Sequence, residues 1–407
     1  MSGMVRVGEF RVDGPIRKAV ERVLESGRIS EGRETRAFEE SFASFIGTKH
    51  AVAVNSGTSA LIAGLTALKV NSSDKSVQNR PKVVTSPLTY VATANAIVLA
   101  GMEPAFVDVN PDTFTITPDN VKAVLEKDRS GKVGGVLPVH LMGYVCDMDP
   151  LRSMARSHDA FLFEDSSQAH GSIYKGRRAG SMSDMSSFSF YIAHNIQAGE
   201  LGAVLTNDMK LARLVRKIKA NGRVCDCLVC TRGKGKCPRF RTGSKSWDPR
   251  FFHDIIGYNF KIMEFPAAIA SAQISRADDI AAKRRKNVKA LNDLLVKHGD
   301  DLRLPQYSDD LSYLGYPIVI RDPKKLNRER LQVALERNGV ETRPLFGCIP
   351  IHQPSFAHLK KKYHGKLPNA EYIGANGFYI GCHQYLTEKD LGTASSAFDR
   401  SIDEAAR

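Results

Sequence analysis

The stretch Ser189-Phe190-Tyr191-Ile192-Ala193-His194-Asn195, followed by Gly199-Glu200-Leu201-Gly202, lies between two short β-rich runs, Ser187 to Phe190 and Ala203 to Thr206. Outward from it the chain keeps alternating strand-type and helix-type segments. Ala51 to Val54, Val83 to Thr85, Ala105 to Val109, Gly135 to Val139 and Phe161 to Phe163 read as strands, with helix-length segments at Thr58 to Leu68 and Ala92 to Leu99. Strands spaced by helices predict a mainly parallel sheet covered on both faces. Further upstream, Ile16, Ala19, Val20 and Val23 recur at helical spacing, a Gly-rich turn spans Gly27 to Gly32, and a second helix carries Phe38, Phe42 and Phe45. Downstream, a long helix begins near Glu264, Tyr313 to Ile320 reads as a strand and Arg328 to Asn338 as a helix. The predicted organisation is an N-terminal helical segment (1–47), a large α/β domain (48–263) and a small C-terminal α+β domain (264–407).

Composition narrows the partners. A chain of 407 residues with 42% hydrophobic content buries a large core. The formal net charge of +14 suits either nucleic acid or an acidic small molecule such as a nucleotide-sugar pyrophosphate. The basic residues are spread widely and no nucleic-acid module is evident, so the expectation is the acidic substrate and no nucleic acid. No apolar run approaches the roughly 18 residues of a membrane span. Met1-Ser2-Gly3-Met4-Val5-Arg6 has no apolar signal core, so a cytoplasmic protein is expected.

Four of the seven cysteines sit together as Cys225-x-Cys227-x₂-Cys230-x₆-Cys237, whereas Cys146, Cys348 and Cys382 are isolated. The surrounding segment, 222–247, is rich in Cys, Gly, Lys and Arg and is too long for an ordinary connection. Without a secretory signal a metal site is the leading reading, and spacing does not choose between Zn²⁺ and an iron–sulfur cluster.

Four further segments stand at strand ends. Asn55-Ser56-Gly57-Thr58-Ser59-Ala60-Leu61 opens a helix, whose free N–H groups and positive end suit a phosphate. By itself it is equally a plain strand-to-helix turn. Thr89-Tyr90-Val91-Ala92-Thr93-Ala94-Asn95 carries an aromatic that, alone, would be read as core packing. Glu164-Asp165-Ser166-Ser167-Gln168-Ala169-His170-Gly171 places acids directly after a strand, ordinarily a helix cap. Gly257-Tyr258-Asn259-Phe260-Lys261 follows the cysteine segment.

Taken together and in this order, these segments resemble the DegT/DnrJ/EryC1/StrS family of sugar aminotransferases, which use pyridoxal phosphate (PLP). The resemblance implies a fold-type-I PLP-dependent transferase: a large domain with a mainly parallel seven-stranded-type sheet, and a smaller C-terminal α+β domain. It implies that Gly57, Thr58, Ser59 and Ser189 bind the cofactor phosphate, Tyr90 stacks on the pyridine ring, Asp165 pairs with the ring nitrogen and Gln168 lies beside it. It also implies a homodimer in which Asn259 reaches the neighbour's phosphate. Three positions depart from the family pattern: Leu201 inside a Gly-Glu-Gly-Gly turn, Lys261 for Arg, and His194 where the family has its cofactor lysine. Imidazole cannot form the Schiff base, yet it moves protons near neutral pH, its ordinary pKa being about 6.5.

The His-for-Lys exchange resembles the sugar 3-dehydratases, which hold PLP or its amine form, pyridoxamine phosphate (PMP), noncovalently. In the CDP-4-keto-6-deoxyglucose 3-dehydrase branch, cysteines of this same insertion hold a [2Fe–2S] cluster fed by a separate reductase. That branch takes one ligand from the segment after the aspartate, where Ser167 stands, and Cys230 would substitute. The expectation is therefore a PMP/PLP-dependent 3-dehydratase acting on a nucleotide-linked 4-keto-6-deoxyhexose. His194 is its base, and Cys225, Cys227, Cys230 and Cys237 hold [2Fe–2S], or alternatively Zn. Two other readings remain: a colitose-type dehydratase with structural Zn, and a non-catalytic, ligand-binding regulatory homologue. Asp165, Gln168, Ser189 and Asn259, each a residue of cofactor chemistry, argue against the last.

Overall fold

Strands β1 (His50–Val54), β2 (Lys82–Thr85), β3 (Glu103–Phe106), β4 (Val133–Leu137) and β5 (Phe161–Asp165) are followed by a small hairpin, β6 (Ile173–Tyr174) and β7 (Arg177–Arg178). Strands β8 (Met185–Ser189) and β9 (Gly202–Thr206) then complete the set. Apart from the hairpin they form a seven-stranded sheet ordered β1-β9-β8-β5-β4-β2-β3. Every neighbouring pair is parallel except those of β9, which runs antiparallel to both β1 and β8. Strands β4 and β9 are buried at every residue, as sheets covered on both faces require. The computed structural model describes residues 4–71, 80–227, 237 and 248–405.

The strand expected over Ala105 to Val109 stops at Phe106. Strand β3 is an edge whose sole ladder partner, β2, ends at Thr85, so pairing stops with it. Helices α1 (Gly14–Glu25) and α2 (Arg33–Ile46) precede the sheet, and α3 (Gly57–Asn71) follows β1. Asp13 caps α1 by accepting from the Ile16 amide at 3.0 Å. Phe42 of α2 meets Phe188 and Phe190 edge-on, with ring centroids 5.0 and 4.9 Å apart.

The long helix expected from Glu264 is two helices, Glu264–Ile274 and Ala277–Leu295. The break redirects the chain between two cores. Ala267, Ala270 and Ile274 pack with Phe38 and Phe42, whereas Val288, Leu291 and Leu295 pack with Tyr316 and Ile318 of the C-terminal part. Glu264 also caps α2 from a distance in sequence, accepting from the amides of Gly32, Glu34 and Thr35 at 2.7, 2.8 and 2.9 Å. A carboxylate at a helix N-terminus is favoured by the helix dipole, and this one ties the start of α2 to the helix Glu264–Ile274.

The C-terminal sheet is antiparallel, ordered β10-β11-β13-β12, from β10 (Leu302–Arg303), β11 (Tyr316–Ile320), β12 (Thr342–Pro344) and β13 (Gly377–Ile380). The strand expected from Tyr313 starts only at Tyr316. The Tyr313 and Leu314 carbonyls are used instead by the Arg284 side chain. Among the described residues no helix is long and apolar enough to cross a membrane.

Candidate active site

Successive β-strand ends deliver polar side chains to one cavity of about 450 Å³. The crevice beyond the carboxyl ends of strands is where open α/β sheets bind ligands. One wall is the turn from β1 into α3, where Ser56, Gly57 and Thr58 face Ser189 at the end of β8. The two segments touch so closely that a Cβ on Gly57 would collide with Cβ of Ser189. Ser56 Oγ accepts from the Ser59 amide at 3.1 Å, which fixes the first turn of α3. Ser59 itself is buried against Ser56 Oγ, 3.0 Å from its own hydroxyl, and does not line the cavity. This helix start, with the Ser189 and Thr58 hydroxyls, offers free N–H groups and hydroxyls of the kind that suit a phosphate dianion.

The floor is Asp165, the last residue of β5. Its Oδ2 accepts from Thr93 Oγ1 at 2.8 Å, and its Oδ1 from Ser167 Oγ at 2.7 Å. The Thr93 hydroxyl is itself 2.9 Å from that of Thr89. Oδ1 also accepts from the Ser167 amide at 3.3 Å, so Oδ2 is the oxygen that keeps acceptor capacity for a charged N–H in the cavity, the strongest partner for a buried carboxylate. Gln168 accepts from the Met142 amide through Oε1 at 2.9 Å, which turns its NH₂ end toward the cavity. Tyr90 stands at the mouth, its ring 6.0 Å from that of Phe346.

Behind Asp165 a buried pair braces the strand ends. His140 Nδ1 accepts from the Cys146 amide at 3.2 Å, so Nε2 donates to Glu164 at 2.9 Å. Burial pushes the Glu164 carboxyl up, but hydrogen bonds from His140, the Gly180 amide and Ser183 outweigh it and hold the group below the ordinary range.

His194 closes the opposite wall. It sits on the turn between β8 and β9, and its amide donates to the Tyr191 carbonyl at 2.9 Å. Nδ1 is enclosed and without a hydrogen-bond partner, which leaves Nε2 as the nitrogen open to the cavity. Burial first, and then the charge of Arg284, pull its pKa down to about 3, so the ring is neutral across the physiological range. Leu201, which departs from the family's glycine, points into the core among Phe38, Phe42 and Phe190. Gly202 is the position that must stay small, because a Cβ there would meet the Ser56 carbonyl.

The cavity thus gathers Gly57, Thr58, Tyr90, Asp165, Gln168, Ser189 and His194. It leaves out Ser59 and also Asn259, which bridges to the backbone of Ala220. Sequence reading missed Thr93, Glu200, Phe346 and Tyr379, which line it as well. Cys225 and Cys227 lie elsewhere, on a basic cavity of about 260 Å³ with Arg216, Lys219, Arg223 and Lys261. Cys230 falls outside the described residues, and among those described no three metal-ligating side chains come together.

Gly57→Ala is expected to leave far-UV circular dichroism unchanged and to weaken PLP binding by about tenfold or more, roughly 1.4 kcal/mol. The new methyl would displace Ser189 from the start of α3. An absorbance titration with PLP checks this, and unchanged affinity would remove Gly57 from the phosphate site.

Residues 11–398 match the DegT/DnrJ/EryC1/StrS aminotransferase family. The GDP-perosamine synthase of Caulobacter vibrioides is 32% identical over 402 residues, 98% of each chain. The dTDP-4-dehydro-2,6-dideoxy-D-glucose 3-dehydratase of Saccharopolyspora spinosa is 32% identical over 379 residues, 91% of this chain and 80% of that one. Among solved structures, Escherichia coli GDP-4-keto-6-deoxy-D-mannose-3-dehydratase with bound hydrated PLP shares the fold. Its TM-score is 0.82 at 24% identity, over 98% of this chain and 100% of that one. With sheet order, cavity and sequence agreeing along nearly the whole chain, the protein belongs to the DegT/DnrJ/EryC1/StrS aminotransferase family, PLP-dependent enzymes of fold type I that modify sugars.

Proposed function

We propose that this chain is a PMP/PLP-dependent 3-dehydratase of a nucleotide-linked 4-keto-6-deoxyhexose. The observation that carries the reading is His194: a buried, neutral imidazole lines the cavity opposite Asp165, and no lysine is among the described lining residues. One relative is named for making GDP-perosamine and another for 3-dehydration of a dTDP-linked 4-dehydro-2,6-dideoxy sugar, and the missing amine favours the second activity.

The residues present fit the cofactor. Gly57, Thr58 and Ser189 would hold its phosphate, Asp165 its protonated ring nitrogen, and Tyr90 one face of the ring. When bound, PMP supplies the amine that joins the sugar ketone and a ring that withdraws electrons. Asp165, oriented by Thr93 and Ser167, keeps that withdrawal strong by holding a proton at the ring nitrogen. His194 Nε2 would accept the proton whose removal drives loss of the C3 hydroxyl and return it to that oxygen, which departs as water. Apolar wall residues Leu61, Val139 and Leu314 limit bulk water around these polar groups.

Purified protein, PMP and a panel of CDP-, dTDP- and GDP-linked 4-keto-6-deoxyhexoses form the test. Loss of the C3 hydroxyl, followed by NMR, is expected, and an amino sugar as the sole product would overturn the reading.

The cysteine segment belongs to the same proposal, with Cys225, Cys227, Cys230 and Cys237 as ligands of [2Fe–2S], or of Zn in a colitose-type enzyme. Since no three ligands converge among the described residues, no electron step is derived from it. Anaerobically purified protein is expected to be brown, with equal iron and acid-labile sulfide, and Cys227→Ser to lose both. A colourless protein holding stoichiometric zinc would select the colitose-type reading.

Assembly is also part of the reading. Phe251 and Ile256, on the segment that leads to Asn259, are 71% and 91% exposed, which supports an interface on this segment. A two-fold homodimer would cover them and bring Asn259 to the neighbour's cavity.

A further inference from the structure

Arg284, on the helix Ala277–Leu295, is completely buried behind His194. Its Nη1 donates to the carbonyls of Tyr313 and Leu314 at 3.1 and 2.8 Å, and its Nε to Gln384 Oε1 at 3.2 Å. Nη2 is buried without a partner. Among the described residues no carboxylate pairs with it; its neighbours are carbonyls, an amide and the Cys382 thiol. Burial pushes that thiol up to about 11, so it supplies no counter-charge. A guanidinium does not give up its proton in a protein, so a lone positive charge is enclosed here. A buried charge without a counter-ion is costly and is a candidate for a functional role.

Two facts tie this charge to the cavity. Asn195, next to His194, donates through Nδ2 to Ser312 Oγ at 2.6 Å and to the Tyr313 carbonyl at 3.4 Å. Arg284 binds the same Tyr313 carbonyl, so the two side chains clamp one segment, whose Leu314 lines the cavity. Second, enclosed polar atoms without partners crowd this region: His194 Nδ1, Asn195 Oδ1, Arg284 Nη2, His383 Nε2 and both ring nitrogens of His170. The His170 and His194 rings are 6.0 Å apart. The charge of Arg284 acts on three imidazoles, those of His170, His194 and His383.

We propose that Arg284 is a positioning residue for His194: it fixes the His194 turn through the shared Tyr313 carbonyl and brings a positive charge without a counter-ion to the surroundings of the imidazole. The inference rests on the proposed role of His194 as base, but it concerns the state of the ring whether or not substrate reacts. Other groups facing His194 are His170 from the turn after β5, Asp165 on β5, His140 after β4, and Tyr379 on β13. Tyr191 and Glu200 share its own turn. The carboxylates among them favour the charged ring; enclosure and Arg284 oppose it. His170 and His383 are pushed down for the same reasons, burial first, with Arg284 adding to both. The sign is definite. Removing the cation raises the pH at which His194 takes up a proton and moves the acidic limb of the rate profile upward.

The test is histidine titration by ¹⁵N NMR on the full-length protein, with and without PMP, the His194 signal being assigned by its loss in His194→Asn. In the wild type His194 is expected to stay neutral to below pH 5. In Arg284→Met its midpoint should rise toward the ordinary value of about 6.5. Arg284→Lys should keep it low. Arg284→Gln retains a donor for the Tyr313 and Leu314 carbonyls without the charge, and should match Met if Met does not fold. A wild-type midpoint near 6.5, or an unchanged midpoint in a folded Met or Gln variant, would overturn the proposal. If instead His194→Asn keeps its full rate, the base assignment falls while the titration result stands.

Discussion

His194→Asn should retain PMP and lose dehydration by about 10²- to 10⁴-fold, the range that a positioned general base contributes. Asparagine fills much of the space of imidazole and offers no basic nitrogen at this pH. Since among the described residues no hydrogen bond joins the His194 ring to Gly57, Thr58 or Ser189, the residues proposed for the phosphate, PMP affinity should change little. Single-turnover assays following the C3 hydroxyl, beside a PMP titration, separate the two effects. His194→Lys should lose dehydration as well and, with glutamate as amino donor, acquire sugar transamination. Full dehydration by the asparagine variant would show that another group takes the proton.

Asp165→Asn should weaken cofactor binding by about 30-fold or more, about 2 kcal/mol, the lower end of the cost of cutting one partner from a buried charge pair. An amide of the same shape keeps one acceptor oxygen for one of the Thr93 and Ser167 hydroxyls and turns its NH₂ to the other, which can accept instead, so the fold should be retained. It no longer carries the charge that holds a proton on the ring nitrogen. Thr93→Val and Ser167→Ala each remove one hydrogen bond to the Asp165 carboxylate and should cost about 1 kcal/mol of cofactor binding. Equilibrium dialysis with PLP orders the three variants, and equal affinity of Asp165→Asn and wild type would exclude the ion pair.

Much of the large domain was legible because its strands are short apolar runs with helix-length spacers, which admit few topologies. Strand lengths were less legible, since they depend on neighbours: β3 ends where β2 ends, and β11 starts late because Arg284 takes two carbonyls. The site showed the same division. Asp165, Ser189 and His194 stood in quotable motifs at strand ends. Thr93 stood in one too, but its role did not show, because which face of its helix meets β5 follows only from packing. Arg284 left one signal: it falls on the apolar stripe of Ile280, Val288, Leu291 and Leu295, where a cation is out of place. Phe346 and Tyr379 reach the cavity from the C-terminal part, and no local pattern announces that docking.

The pairing of β1 with β9 alone, at the sheet edge, has a bearing on how the protein is made. Gly57 leaves the ribosome 132 residues before Ser189 (189 − 57), and β9 follows later still. At roughly 5–20 residues per second, the first half of the proposed phosphate site waits on the order of ten seconds for the second. Throughout that interval β1 has no strand to pair with, and such non-local pairings form slowly. Cofactor present during synthesis therefore cannot template the early chain. It can only trap a domain whose last sheet strand has already docked, so nascent chains released before Thr206 should be clients for chaperones rather than for PLP.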